Sequence, residues 1–163
     1  MSRLRMTCLA GPLLERLWVW ALLSLVLNFL WEIAQLRLYT IWTTGSAASI
    51  AYAVGHCTAG DVLIACSSYI LTAFLLGDAE WPASRPWRGL AISILYGVAY
   101  AVYSEWRNVY VERSWSYSPD MPMIFGIGLS PLLQWIIVPL ATVLIVHAWS
   151  GRSGNPESDS QIT

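Results

Sequence analysis

Four long apolar runs, over residues 17–36, 48–76, 89–106 and 123–149, are separated by short stretches rich in glycine, proline, serine and charge. Each run supplies the about 20 mostly apolar residues that a helix needs to cross a bilayer core. The pattern predicts an all-α integral membrane protein, a four-helix bundle forming a single domain over residues 1–149. The polar stretch 150–163 has no apolar anchors and is expected to be a disordered tail. The first run is too long for a secretory leader and carries Glu32, so it is expected to remain as an anchor.

The connections differ in character. GDAEWPASRPWR (77–88) holds two prolines and LYTIWTTGSAAS (38–49) is small and polar, so both read as plain links. RNVYVERSWSYSPDMP (107–122) sets three aromatics among four charges and ends near two prolines, which predicts an ordered cap at the membrane interface. Arginine decides the orientation, because cytoplasmic loops are enriched in basic residues. With the N-terminus inside, Arg3, Arg5, Arg16, Arg85, Arg88 and Arg152 are inside, and Arg37, Arg107 and Arg113 outside. Both termini are therefore expected in the cytoplasm.

Composition agrees with this picture and narrows the chemistry. The chain is 56% hydrophobic and 12% charged, with a mean hydropathy of +0.54, too apolar for an ordinary soluble domain of this size. Its ten tryptophans and eight tyrosines suit the two membrane interfaces. A net charge of −1 gives no reason to expect a nucleic-acid partner. There is no lysine, which removes lysine Schiff-base chemistry, and with it retinal and pyridoxal enzymes. No cofactor is implied. Cys8, Cys57 and Cys66 cannot all pair, and nine residues of helix put Cys57 and Cys66 on opposite faces, so each reads as a packing residue.

The polar residues inside the apolar runs are the candidates for chemistry. At 100° per residue, Asn28, Trp31, Glu32, Gln35 and Tyr39 fall on one stripe of the first helix. A carboxyl at that depth is costly against lipid and should face the interior. In the second run, GHCTAGD (55–61) brings His56 to the depth of Glu32 and Asp61 near the midplane. The two lie about 140° apart on an ideal helix. A kink at Gly55 or Gly60 would bring them together.

The third run carries Ser93, Tyr96, Tyr100, Tyr103, Arg107 and Tyr110 on one side and Glu105 on the other. Glu105 is the weaker candidate there, expected to be solvated or paired with a cap arginine. In the fourth run Gly126, Ser130 and Gln134 step by four, a small-residue stripe ending in an amide that can bond across helices. Pro131 is expected to kink that helix. His56 and His147 sit at opposite depths, so no metal site is predicted. The polar residues thus gather in the outer half, around a pocket walled by tyrosine and tryptophan and floored by Glu32, His56 and Gln134.

The stretch Asn28-Phe29-Leu30-Trp31-Glu32 resembles the asparagine, two apolar residues, tryptophan, glutamate pattern of the small integral-membrane terpene cyclases of fungal and bacterial meroterpenoid pathways. The likeness covers about a dozen residues, and the four expected spans are fewer than that family has. It implies that Glu32 protonates an epoxide or alkene and starts a carbocation cascade. The whole chain, with GHCTAGD and RSWSYSPDMP, resembles small multi-pass proteins of the bacterial inner membrane.

The functional expectation is an enzyme of cyclase, isomerase or hydratase type, acting on an isoprenoid-like or lipid substrate. Glu32, His56 and Asp61 would carry the proton chemistry, and Asn28, Trp31, Gln35, Tyr96, Tyr100, Tyr103 and Gln134 would line the pocket. Its partners would be membrane lipids or a hydrophobic small molecule. The alternative is a non-catalytic subunit or lipid-binding protein whose polar stripe sets helix packing and whose cap docks a membrane-protein partner. A proton or solute channel ranks last, because the inner halves offer no polar path.

Overall fold

The computed structural model describes residues 3–152. It is mostly helical, in the order α1 (Arg3–Gln35), α2 (Ile41–Thr44), α3 (Ala47–Leu76), α4 (Trp81–Ser84), α5 (Pro86–Trp106), a two-stranded hairpin β1 (Met123–Ile124) and β2 (Ile127–Gly128), and α6 (Leu129–Arg152). α1 packs against α3 and α6, and α5 packs against the same two helices. Among the described residues, three helical segments are long and apolar enough to cross a membrane: Leu13–Leu38, Ala47–Leu76 and Leu129–Trp149. These are the features of a helical membrane protein. α5 is not among the three; it carries Arg88, Glu105 and three tyrosines in its 21 residues.

Local chemistry explains where the helices begin and end. α3 starts where the Ser46 side chain accepts the Ser49 N–H at 3.1 Å, an N-cap that satisfies one of the orphan donors. It stops at Gly77, whose φ of 61° reverses the chain. α5 starts on Pro86, at a position where the missing N–H costs nothing.

Two expectations about the fourth run are corrected. Residues 123–128 are not helix: Phe125 (φ 50°) and Gly126 (φ 83°) both take the left-handed conformation, form the tight turn of a hairpin, and delay α6 to Leu129. Gly126 therefore leaves the proposed helical stripe. Pro131 then falls in the first turn of α6, where no helical bond is lost. Pro139 is the proline inside that helix, and it deprives the Trp135 carbonyl of its usual partner. The expected polar tail lies outside the described residues from 153 onward, while residues 150–152 finish α6.

The two ends of the molecule are built differently. At the end where α3 stops and α5 starts, Trp20, Tyr69 and Trp81 form an aromatic plug with ring centroids 5.2–5.7 Å apart. Trp20 donates to the Ala65 carbonyl at 3.1 Å and Tyr69 to the Ala79 carbonyl at 2.5 Å, so both polar tips are satisfied. The Trp81 ring lies over Gly89, where any side chain would overlap it. At the opposite end, residues 114–118 fold over the helices. Thr40 N–H donates to the Ser116 carbonyl at 3.0 Å and Ser118 N–H to the Leu38 carbonyl at 2.9 Å, tying this segment to the end of α1. The cavity lies beneath that cap.

Candidate functional site: a carboxyl-lined cavity under the cap

Gln134 on α6 is the centre of the polar network. Its amide nitrogen lies 2.9 Å from Asn28 Oδ1, 2.8 Å from Asp61 Oδ2 and 3.3 Å from Glu32 Oε1, and its oxygen accepts from Gln35 Nε2 at 3.4 Å. One side chain, 2% exposed, thus joins α1, α3 and α6. The rest of the α1 stripe completes the net. Gln35 Nε2 donates to Glu32 at 2.8 Å, and Gln35 Oε1 accepts from Ser130 at 2.8 Å and from the Trp31 indole at 3.2 Å. Asn28 donates to the Ser24 carbonyl at 2.8 Å. The Glu32 and Asp61 carboxyls, from two different helices, thus meet at one amide nitrogen.

A third carboxyl faces the same cavity. Glu105 of α5 is 6% exposed and accepts from Tyr117 at 2.6 Å, from the Trp115 indole at 3.3 Å and from Tyr39 at 3.4 Å. Burial, and then the bond to Glu105, pushes the Tyr117 hydroxyl up from its ordinary value. Burial, and then the charge of Glu105, does the same to Tyr39. Both phenols therefore remain donors. The Tyr117 oxygen also accepts the Gly128 N–H at 3.0 Å, so the hairpin and the carboxyl share one anchor.

This corrects the expectation for Glu105. It pairs with no arginine: Arg107 instead bonds Glu112, with Nη2 2.6 Å from Oε1. The relevant face of α5 is Ser93, Gly97, Ala101 and Glu105, four buried residues at steps of four. That ladder of small residues ending in an acid is visible in the sequence, and it marks the inward face more directly than the tyrosines do.

The cavity has a volume of about 270 Å³ and is lined by Glu32, Gln35, His56, Asp61, Tyr100 and Gln134 among the residues expected at the site. Glu105, Tyr39, Cys57, Ser104, Trp115 and Trp135 also line it. Asn28 and Trp31 are not part of its wall; they hold Gln134 and Gln35 from behind. Tyr96 and Tyr103 are elsewhere. The Tyr96 hydroxyl meets Ser67 Oγ at 3.0 Å, and the half-exposed Tyr103 accepts from Arg107 at 3.3 Å. These two are corrected from pocket wall to helix contact and surface: Tyr96 packs against α3 on the plug side of the cavity, and Tyr103 points outward.

His56 is at the rim, exposed and stacked on Tyr52 at 5.6 Å, and is not part of the floor. α3 runs unbroken through Gly55 and Gly60, so no kink brings His56 to Asp61, yet both reach the one cavity from successive turns. Among the described residues no group of three His, Cys, Asp or Glu is placed to hold a metal ion. No family model, curated protein or solved structure matches the chain.

Proposed function

We propose that the protein is a membrane enzyme in which Glu32 donates a proton to an unsaturated or epoxidised, isoprenoid-like substrate and Asp61 receives a proton at the end of the reaction. The observation that carries this reading is the Glu32–Asp61 pair, bridged by Gln134 and facing a cavity ringed by Tyr39, Tyr100, Trp115 and Trp135. A proton carried by Glu32 is then available to an apolar double bond, and the aromatic faces stabilise the cation that results. Loss of a different proton to Asp61, followed by its transfer to Glu32, returns the site to its starting state with no net redox change. Glu105, held by three donors, is the fixed counter-charge on the opposite wall. Asp61 suits the accepting role better than His56, because it is in the network and His56 is at the rim.

In this reading α1, α3, α5 and α6 form a four-helix transmembrane bundle in the bacterial inner membrane, with both termini cytoplasmic and the cap outside. The resemblance of Asn28 to Glu32 to the membrane terpene cyclases supports the same chemistry. The test is gentle purification followed by mass spectrometry of co-purifying lipids. A near-stoichiometric isoprenoid or other lipophile is the expected result, and an empty protein of intact fold would count against it.

One observation favours the second reading, a non-catalytic subunit or lipid-binding protein. Gln134 ties α1, α3 and α6 together, which is what interhelical packing alone requires. A co-purifying membrane-protein partner in place of a lipophile would support that reading.

A further inference from the structure

We infer that the cavity is entered sideways from the bilayer, through a gap between α3 and α5 at the level of Gly60, and that what passes through is a single hydrocarbon chain of a membrane-dissolved lipophile. The inference rests on the reading above that the ligand is hydrophobic, and adds its route and shape.

Size is the first argument. An apolar cavity of roughly 150 Å³ accommodates one benzene ring. In the same proportion, the 270 Å³ here accommodates an apolar group of about ten carbon atoms. A longer lipophile therefore has only its reacting end inside, and the remainder must leave through the mouth.

The mouth is on the α3–α5 side. The exposed residues that line the cavity are His56 on α3, Tyr100 on α5 and Ser114 just under the cap. Among the described residues, the side-chain bonds joining α3 to α5 are Ser67 to Tyr96 at 3.0 Å and Thr72 to Ser93 at 3.3 Å. Both lie on the plug side of the cavity. At cavity level no such bond spans the two helices.

Glycine placement is the independent argument. A glycine inside a helix is less stable there than alanine, and close packing is the usual reason to keep one. Gly97 has that reason, since any side chain there would overlap the Trp135 ring. Gly60 does not: a Cβ built on it meets no atom within 4 Å, and Gly60 lines the cavity. The space that Gly60 leaves empty is the passage itself. A chain lying there runs past the Tyr52–His56 stack and Tyr100, whose rings face the bilayer.

The test needs no substrate and no activity, so it separates this inference from the proposed chemistry. Gly60→Cys, made after replacement of Cys8, Cys57 and Cys66, is reconstituted in phosphatidylcholine vesicles. It is then treated with hexyl methanethiosulfonate, which dissolves in the bilayer, or with the charged, water-soluble sulfonatoethyl reagent. Each methylene of the hexyl chain adds about 0.8 kcal/mol of partitioning into the bilayer, so the lipophilic reagent should react at least about tenfold faster at a lateral opening. Ala53→Cys, also on the cavity wall, is the second probe should Gly60→Cys fail to fold. Equal or faster reaction with the charged reagent would place the mouth in water and overturn the inference. A folded variant that reacts with neither reagent would overturn it too, because the gap would then be closed.

Discussion

At the scale of single residues, Gln134 has the largest predicted effect on stability. Its amide donates to Asn28, Glu32 and Asp61, and of these three oxygens only that of Glu32 has a second donor, Gln35 Nε2 at 2.8 Å. Gln134→Leu keeps much of the volume and removes every bond, leaving buried acceptors unsatisfied at about 1–3 kcal/mol each. A net loss of about 2–4 kcal/mol is expected, because Gln35 still serves Glu32, and denaturant unfolding in detergent micelles would measure it. The stripe from Asn28 to Tyr39 was legible in the sequence because helical periodicity and the cost of burying polar groups both act on one segment. Glu105 was not, because its three donors come from Tyr39, Trp115 and Tyr117, two of them in a loop whose path no periodicity predicts.

At the scale of elements, one substitution made in two helices should have opposite signs. Gly60→Ala places its methyl in open space and removes a poor helix former from α3, so a gain of about 0.5–1 kcal/mol is expected. Gly97→Ala drives its methyl into the Trp135 ring, which is itself boxed in at 5% exposure, and should lose about 1–3 kcal/mol. Trp135→Leu added to Gly97→Ala should recover part of that loss. Thermal midpoints of the four proteins in one detergent would check the pattern, and equal shifts for Gly60→Ala and Gly97→Ala would contradict it. The extents of α3 and α5 were legible to within a few residues, since apolar runs, Gly77 and Pro86 mark them. The start of α6 was not. In MIFGIG the apolar residues read as helix, and only the left-handed backbone at Phe125 and Gly126 turns them into a hairpin.

At the scale of the whole molecule, the polar chemistry is concentrated at one end and an aromatic plug closes the other. That asymmetry makes orientation a testable part of the account. With both termini in the cytoplasm, the cap faces outward. Ser116→Cys, in a background without Cys8, Cys57 and Cys66, should then react with a membrane-impermeant maleimide on intact cells. Reaction only after lysis would invert the molecule and move the cavity to the other leaflet. The mostly helical, membrane-protein character was legible from hydropathy alone, whereas the position of the cavity mouth depends on how α3 and α5 sit against each other, which a single sequence does not encode in any local pattern. The central claim is that Glu32 delivers a proton to a lipophile in the cavity, and the most direct measurement compares the lipids extracted from wild type and from Glu32→Gln by chromatography and mass spectrometry. Glutamine keeps the size and hydrogen-bonding capacity of Glu32 but has no proton to give. The account predicts that Glu32→Gln melts within a few degrees of wild type and retains an unreacted lipophile, while wild type carries its isomer or hydrate. Identical lipids and identical products from the two folded proteins would contradict it.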